Sequence, residues 1–269
     1  MISANPAVYN ARDSDMGATL HMKHRTWPHP RIIGHRGGGT LAPENTLAAI
    51  RKAAELGFGG VEFDVMLSAD KIPVLIHDET LERTTDGRGS VAATPYAKLA
   101  SLDAGTWFGP EHRGEPLPTL EQAGRLCIEL GLWANIEIKP ASGFERETAV
   151  VAAKLVAELW AGASRKPLLS SFHGTCLEVA RTAVPELERG YLTDRIEPGS
   201  REAARRLGCV SVHCNYAYLT KAQADQIKWA GFGLLCYTVN ETDLARRLFS
   251  WGVDAIFTDR LDRIPPEFA

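Results

Sequence analysis

Short apolar runs alternate with amphipathic segments along the chain from residue 31 onward. The apolar runs predict nine strands, at 31–34, 61–66, 73–77, 133–138, 167–171, 188–192, 209–213, 234–239 and 254–257. Intervening segments at 45–57, 119–131, 220–231 and 240–252 predict helices. Strands that alternate with helices of this length predict a parallel sheet with helical crossovers.

Two of these helices carry a capping-box pattern at their start. Thr119 stands three residues before Gln122, and Thr220 stands three residues before Gln223. In such a pair the two side chains satisfy two backbone N–H groups that have no partner inside the helix. A glycine closes each segment, as is typical of helix ends.

Nine strands are one more than an eight-stranded barrel needs, and connection length identifies the extra strand. Only six residues separate Met66 from Pro73, whereas a parallel crossover needs about a dozen. We therefore predict that 61–67 and 73–77 form a hairpin with its turn at 68–71. The other eight strands predict a (β/α)8 TIM barrel. A doubly wound sheet is disfavoured because its GxGxxG phosphate-binding loop is missing.

The segment 79–118 interrupts the alternation. It is rich in glycine, proline and charge, and about 40 such residues inside a compact domain usually form a functional lid or a small insertion. Trp107 and Phe108 give the segment an apolar tip, which suits either packing or covering a site. We predict a barrel domain at 31–269 that contains this insertion, preceded by an N-terminal extension at 1–30.

Composition restricts the partners. The chain has 269 residues, a net charge of −3 and no basic run, which disfavours nucleic acid and anionic membranes. We expect no membrane insertion, because no stretch of about 18 apolar residues is present.

The five cysteines form no CxxC pair, which favours reduced thiols. The first 30 residues lack the apolar region of a signal peptide, which favours the cytoplasm, and Met22 is an alternative start.

Polar side chains fall at the predicted carboxyl ends of the strands, where barrel enzymes carry their active sites. Glu62 and Asp64 share one face of their strand because side chains alternate along a strand. A hairpin turn centred near Asp70 would return position 77 to the level of position 63. Seven side chains are thereby expected to converge: His35, Arg36, Glu62, Asp64, His77, Glu137 and Lys139.

These residue types indicate metal-assisted chemistry on a phosphate ester. Three carboxylates without cysteine or clustered histidine nearby suit one hard divalent cation, Mg²⁺ or Ca²⁺. Arg36 and Lys139 suit phosphate oxygens, and the glycines after Arg36 would let a ligand approach the backbone. His35 and His77 suit a general acid–base pair because imidazole titrates near neutrality.

Each of these features also has a purely structural interpretation. The His-Arg pair after the first strand could lie in a surface turn, and His77 could be a core histidine paired with an acid. Glu62 and Asp64 could form ion pairs with lysines or arginines of the barrel. We expect Glu44 to be a partner of Arg36 rather than a ligand. His173 and His213 lie near predicted strand ends, and for both a structural role is as compatible as contact with a substrate.

Eight short motifs carry these residues along the chain. They are GHRG (34–37), APENT (42–46), VEFDVMLSAD (61–70), PVLIHDETLERTTDGRG (73–89), NIEIKP (135–140), SSF (170–172), YTVN (237–240) and DAIFTD (254–259). In this order, over residues 31–260, they resemble the glycerophosphodiester phosphodiesterases. The resemblance implies a TIM barrel with an insertion after the HD motif. It also implies cleavage of glycerophosphodiesters to glycerol 3-phosphate and an alcohol, with the help of a divalent metal.

The resemblance implies a role for each matching position. It places the catalytic histidines at His35 and His77, the metal carboxylates at Glu62, Asp64 and Glu137, and the substrate-phosphate contacts at Arg36 and Lys139. The strand-eight motif often reads WTVN in this family, whereas this chain has Tyr237. A smaller ring with a hydroxyl would change how the glycerol packs, without affecting the reaction itself.

Two other functions are compatible with the same residues. A lysophospholipase D that acts on lipids with one acyl chain would need an apolar rim, for which Trp107 and Phe108 are the candidates. A non-catalytic phosphate-ester binding module would be expected to lack a histidine or a carboxylate, and this chain has all of them. The expected partner is therefore a small glycerophosphodiester, and the sequence indicates no particular oligomeric state.

Overall fold

The computed structural model describes residues 26–268. Their nine strands are β1 (Ile32–Gly34), β2 (Gly60–Leu67), β3 (Pro73–Leu75), β4 (Trp133–Ile138), β5 (Leu168–Ser171), β6 (Glu188–Thr193), β7 (Ser211–Asn215), β8 (Gly233–Tyr237) and β9 (Ala255–Thr258). The sheet closes through the pairing of β1 with both β2 and β9, and every pairing except that of β3 is parallel. The eight parallel strands form the predicted (β/α)8 barrel.

Helices cover the outside of the barrel. The described helices are α1 (Leu47–Glu55), α2 (Tyr96–Leu99), α3 (Leu120–Glu129), α4 (Glu145–Leu159), α5 (Gly174–Ala183), α6 (Ser200–Arg206), α7 (Lys221–Trp229) and α8 (Thr242–Ser250). Both predicted capping boxes are present, with the Thr119 side chain accepting from the Gln122 backbone and Thr220 from Gln223. Within residues 26–268, β9 is followed by turns instead of a helix, so the last repeat is shorter than the alternation suggests.

The predicted hairpin is confirmed, together with its register. β3 runs antiparallel to β2 and places Val65 opposite Leu75 and Leu67 opposite Pro73. This register is centred on Asp70, and its continuation brings His77 to the level of Phe63. The regular strand ends at Leu75, so His77 lies just beyond it, at the barrel mouth.

The insertion forms a small core of its own against this hairpin. Leu81, Val91 and Leu99 from the insertion are fully buried and pack with Met66 and Val74 of the hairpin. Asp70 ties the two parts together, because its carboxylate accepts hydrogen bonds from the Ser68 hydroxyl (2.7 Å) and from the Tyr96 backbone N–H (2.8 Å). A segment with little periodicity is thereby held against the barrel mouth.

Alternation along the strands separates two environments. Val61, Phe63 and Val65 of β2 point outward and join the core between the strands and the helices, as Ile136 and Ile138 of β4 do. The alternate residues point into the barrel. Its interior is filled lower down by a separate apolar cluster: Ile33, Trp133, Leu168, Leu235, Ala255 and Phe257. The polar residues of the same strands lie above this cluster.

The amino-terminal segment covers the amino end of the barrel. The Trp27 ring lies 6.1 Å from the Trp133 ring, and His29 stacks on Trp133 at 4.6 Å between ring centroids. The domain boundary at residue 31 stays a prediction, and the alternative start at Met22 lies outside the described residues. No helix in the described part of the chain is long and apolar enough to cross a membrane.

The core of the insertion gives a prediction about stability. Replacing the fully buried Leu99 by alanine should lower the free energy of unfolding by about 2–4 kcal/mol, because the lost side chain leaves a cavity. The exposed neighbour Lys98 is the control, and Lys98→Ala should change stability by less than about 0.5 kcal/mol. Denaturant unfolding measures both, and equal midpoints for the two variants would contradict a packed insertion.

Candidate active site

A cavity of about 230 Å³ opens at the carboxyl ends of the barrel strands. All seven side chains predicted to converge line it: His35, Arg36, Glu62, Asp64, His77, Glu137 and Lys139. They come from the end of β1, from β2, from the residues after β3 and from β4 with the residue that follows it. The structure therefore brings together every residue that was singled out for chemistry.

Three buried carboxylates form the floor of this cavity. One oxygen each of Glu62, Asp64 and Glu137 lies within 4.8 Å of the other two. The register of the sheet explains the cluster, because Asp64 of β2 is paired with Glu137 of β4. Glu62 lies two residues before Asp64 on the same face, opposite Asn135.

These three acids have different pKa values because they are buried close together. Burial and the charge of Asp64 raise the pKa of Glu62 to about 7, and the same two causes raise the pKa of Glu137 well above its ordinary value. Burial also acts to raise the pKa of Asp64, but Lys139 and other cations outweigh it and leave that pKa below its ordinary value. Asp64 is thus held ionised, whereas the ionisation of Glu62 and Glu137 costs free energy.

Asp64 keeps its charge through several direct contacts. The Asn45 amide donates to its carboxylate at 2.9 Å, and the Asp64 backbone N–H donates to the Asn45 side-chain oxygen at 3.0 Å. Lys139 Nζ lies 3.5 Å and Arg36 Nε lies 3.8 Å from the Asp64 carboxylate. These contacts come from two separate segments of the chain, the loop between β1 and α1 and the residue that follows β4.

His35 is oriented by a carboxylate from the opposite end of the sequence. Its Nδ1 lies 2.6 Å from Asp259 Oδ1, and its Nε2 faces the acidic cluster, 4.0 Å from Glu62 Oε2. Asn240 donates to the other Asp259 oxygen at 3.0 Å. Burial lowers the pKa of His35, but the hydrogen bond that its Nδ1–H donates to Asp259 and the nearby negative charges outweigh burial, so the net pKa is raised.

His77 is held in the same way on the other side of the cavity. Its Nδ1 lies 2.6 Å from Asp78 Oδ1, and Arg83 Nε donates to the other Asp78 oxygen at 2.6 Å. Burial lowers the pKa of His77, and the opposing effects of Asp64 and Asp78 are too small to restore it. Each histidine therefore has a carboxylate on Nδ1, which leaves Nε2 as the nitrogen available to a ligand.

Arg36 lies where a phosphate contact was predicted, and Glu44 holds it there. Its NH1 donates to Glu44 at 2.7 Å, and Arg83 makes two further hydrogen bonds to the same carboxylate. Glu44 therefore partners Arg36, as the sequence indicated. Arg36 Nε is buried and has no hydrogen-bond partner within the described residues.

Gly37 and Gly38, where a ligand was expected to approach the backbone, are packed against protein and do not line this cavity, so the approach of a ligand there stays a prediction. A side chain at Gly37 would come within 2.8 Å of the Ala49 Cβ on α1, and one at Gly39 within 2.3 Å of the Asp259 backbone oxygen. Both residues have positive φ, 89° and 56°, which glycine adopts without strain. The bare backbone lets α1 and the end of β9 pack tightly around the loop that carries His35.

Several site residues were missed by reasoning from the sequence. Asp259 and Asn240 lie inside motifs that supported the resemblance, but their link to His35 depends on the closure of β1 onto β9. Arg83 appeared only as part of a charged insertion. The available signal was a carboxylate, Asp259, two residues after the end of the predicted apolar strand at 254–257.

The two ambiguous histidines lie outside the cavity lining. His173 is exposed at the start of α5. His213 is fully buried inside the barrel, where its Nε2 lies 2.8 Å from Ser211 Oγ, and burial lowers its pKa to about 3. The buried and hydrogen-bonded position of His213 favours a structural role.

One wall of the cavity is apolar. Phe172 and Tyr237 meet edge to face at 5.9 Å between ring centroids, with Leu192 and Phe257 beside them. The Tyr237 hydroxyl donates to the Thr193 backbone oxygen at 3.0 Å. The hydroxyl that distinguishes this chain from the WTVN pattern therefore points to the end of β6.

Buried acids, two carboxylate-bound imidazoles and two cations at the mouth of a (β/α)8 barrel define the class as a hydrolase of phosphate esters. The family is identified by comparison. The model of the glycerophosphoryl diester phosphodiesterase family matches residues 35–263. The chain therefore belongs to this family and is an enzyme of it.

Individual relatives agree with this assignment. A glycerophosphodiester phosphodiesterase of Caldanaerobacter subterraneus is 34% identical over 230 residues, which cover 85% of this chain and 93% of the relative. A phosphodiesterase of Oleispira antarctica, solved in complex with the product sn-glycerol-3-phosphate, superposes with a TM-score of 0.83 at 40% identity, covering 86% of this chain and 93% of that one. A glycerophosphodiester phosphodiesterase of Agrobacterium tumefaciens has a TM-score of 0.72 at 27% identity, covering 89% and 98% of the two chains.

The Asp259 contact predicts the direction of a pKa change. Replacing Asp259 by asparagine should lower the pKa of His35, because the charge that stabilises the imidazolium is lost while the side chain keeps its size. An NMR titration of the imidazole in EDTA measures this. The exposed Asp262→Asn is the control and should leave that pKa unchanged. A His35 pKa that stays the same or rises in Asp259→Asn would contradict the assigned contact.

Proposed function

We propose that this enzyme hydrolyses glycerophosphodiesters to glycerol 3-phosphate and an alcohol, using one divalent cation and the His35–His77 pair. The observation that carries the proposal is the placement of two carboxylate-bound histidines around three buried carboxylates in one cavity. The relative from Oleispira antarctica supports the product, because it was solved with sn-glycerol-3-phosphate bound.

The proposed ligands of the cation are Glu62, Asp64 and Glu137. Their oxygens lie close enough to share one ion, and a set of carboxylates suits Mg²⁺ or Ca²⁺. The raised pKa values of Glu62 and Glu137 support this assignment, because they indicate a deficit of positive charge that the nearby Lys139 and Arg36 do not remove. When bound, the ion would supply charge neutralisation at the phosphate.

Arg36 and Lys139 are the proposed contacts of the substrate phosphate. Both line the cavity beside Asp64. Arg36 Nε forms an ion pair with Asp64 at 3.8 Å but no hydrogen bond within the described residues. This supports the role, because a buried guanidinium N–H without a hydrogen-bond acceptor costs free energy that a phosphate oxygen would recover.

The two histidines are the proposed proton carriers. Asp259 and Asp78 each bind an Nδ1 atom, which fixes the ring orientation and directs Nε2 toward the substrate. One imidazole would take a proton from the attacking oxygen, and the other would give a proton to the oxygen of the departing alcohol. The carboxylates would stabilise whichever imidazole is positively charged during the reaction.

A lysophospholipase D activity is the second candidate. Two large aromatic side chains at the cavity mouth are unusually exposed, Trp107 at 42% and Phe172 at 41%. Such a rim could contact an acyl chain. The non-catalytic alternative is disfavoured because all the proposed catalytic groups are present and face one cavity.

The proposed location is the cytoplasm. All five cysteines are free and buried, which suits a reducing compartment. Cell fractionation of the native host, combined with a protease-protection assay, would test this proposal.

Release of glycerol 3-phosphate from glycerophosphocholine tests the function. We expect turnover with Mg²⁺ or Ca²⁺, none with EDTA, and losses of at least about 100-fold for His77→Ala. Glu62→Ala and Glu137→Ala should lose both turnover and metal binding, because each removes a proposed ligand. The exposed Glu55→Ala is the control.

Three outcomes would contradict parts of this proposal. Full activity of Glu137→Ala would refute the metal assignment. Full activity of His77→Ala would refute the role of His77 in proton transfer. Hydrolysis of lysophosphatidylcholine without hydrolysis of glycerophosphocholine would favour the second candidate.

The pKa of Glu62 predicts how metal binding depends on pH. A cation must displace the proton from this carboxyl, whose pKa is raised to about 7. Affinity for Mg²⁺ or Ca²⁺ should therefore fall as the pH is lowered from 8 to 6, by at least about tenfold per pH unit below 7, because Glu137, whose pKa is also raised, must lose its proton as well. Calorimetric titration at pH 6, 7 and 8 measures this, and an affinity independent of pH would contradict it.

A further inference from the structure

One arginine of the insertion binds two carboxylates of the active site at once. Arg83 Nε donates to the Asp78 carboxylate at 2.6 Å, and Nη2 donates to the same group at 3.2 Å. Nη1 and Nη2 donate to the two oxygens of Glu44 at 2.7 and 2.8 Å. The planar guanidinium joins both acids in one fixed geometry, which a lysine ammonium could not do.

Each of these acids holds one residue that the proposed function places against the substrate. Asp78 Oδ1 lies 2.6 Å from Nδ1 of His77, and Glu44 accepts a hydrogen bond from Arg36 at 2.7 Å. Five side chains therefore follow one another, with each carboxylate between two basic groups: Arg36, Glu44, Arg83, Asp78 and His77. A proposed phosphate contact and a proposed proton carrier are thus linked through one guanidinium.

The charges of both acids depend on Arg83. Its hydrogen bonds are the largest reason why the pKa of Asp78 lies below its ordinary value. Burial acts to raise the pKa of Glu44, but the hydrogen bonds from Arg83 and the charge of Arg36 outweigh burial and lower that pKa. A bidentate arginine within a network also has a more defined geometry than an isolated surface ion pair. Both acids are therefore held ionised and in fixed positions.

The core of the insertion fixes the backbone on both sides of Arg83. Leu81 is fully buried in that core, and its backbone N–H donates to the Gly89 backbone oxygen at 3.0 Å. Thr85 is also buried, and its hydroxyl donates to the Leu81 backbone oxygen at 2.7 Å. Arg83 lies between these two anchored residues, so the insertion determines where the guanidinium lies.

The position of Arg83 suits an indirect role. It lines neither the active-site cavity nor the adjoining cavity beside Trp107. Its hydrogen bonds to Asp78 and Glu44 use four of the five N–H groups of a guanidinium. Arg83 can therefore act on a substrate through these two carboxylates and not by direct contact.

We propose that Arg83 is a positioning residue with two branches. Through Asp78 it sets the orientation of His77, and hence proton transfer. Through Glu44 it sets the position of Arg36, and hence phosphate binding. The inference rests on the proposed hydrolysis of glycerophosphodiesters and adds a residue of the insertion that controls two of its steps.

The test measures kcat for glycerophosphocholine and, separately, the affinity for sn-glycerol 3-phosphate by calorimetry. Arg83→Met should lower kcat by about 10- to 100-fold, because a displaced imidazole loses its alignment. It should weaken binding by about 3- to 30-fold, because Arg36 loses its support. Arg83→Lys should lose nearly as much, since an ammonium keeps the charge but not the fork. Arg88→Met, at an exposed position of the same insertion, is the control and should change neither quantity.

Two further backgrounds separate the branches. With Glu44→Gln already present, Arg83→Met should no longer affect binding but should still lower kcat. With Asp78→Asn already present, Arg83→Met should still weaken binding but should lower kcat much less. An arginine that merely stabilises the insertion would have the same effect on both quantities in both backgrounds.

Wild-type kcat and affinity in Arg83→Met, or equal losses in the two backgrounds, would overturn the proposal. The binding measurement needs no turnover, so it separates this failure from failure of the proposed function. An enzyme that cleaves no glycerophosphocholine, but loses affinity for sn-glycerol 3-phosphate in Arg83→Met only while Glu44 is present, would support the Glu44 branch and refute the hydrolysis. No turnover, together with binding that is independent of Arg83, would refute both.

Discussion

Repulsion among three buried carboxylates is the interaction on which the rest of the site depends. Glu62, Asp64 and Glu137 lie within 4.8 Å of one another in the barrel interior, where uncompensated negative charge is costly. Lys139 and Arg36 reach Asp64 but leave the other two acids with raised pKa values. Such a cluster persists because the surrounding barrel is closed and well packed, and a divalent cation would remove its deficit of positive charge.

Strand geometry and a few carboxylate contacts position this cluster and the residues around it. Strand alternation directs acids inward and apolar side chains outward, and the β2–β3 hairpin returns His77 to the same level. A second layer of carboxylates then orients the proposed proton carriers, with Asp259 on His35 and Asp78 on His77. The insertion adds the outer wall, and its own small core fixes Trp107 beside the mouth.

Much of this architecture follows from local rules in the sequence. Six residues between Met66 and Pro73 exclude a parallel crossover, so the hairpin and its register were predictable. Because side chains alternate along a strand, the sequence also predicted that Glu62 and Asp64 lie on one face of β2. The partner of His35 was not predictable in this way, because Asp259 meets it only when β9 closes against β1. The packing of α1 against Gly37 was not predictable either, because it is a tertiary contact without a local signal.

Anomalous diffraction from crystals soaked in Mn²⁺ tests the central claim most directly, because Mn²⁺ favours the same oxygen ligands as Mg²⁺ and Ca²⁺. We predict one strong peak between the carboxylates of Glu62, Asp64 and Glu137. A map without a peak at that position, at a Mn²⁺ concentration that supports turnover, would contradict the assignment of these three residues as the metal site.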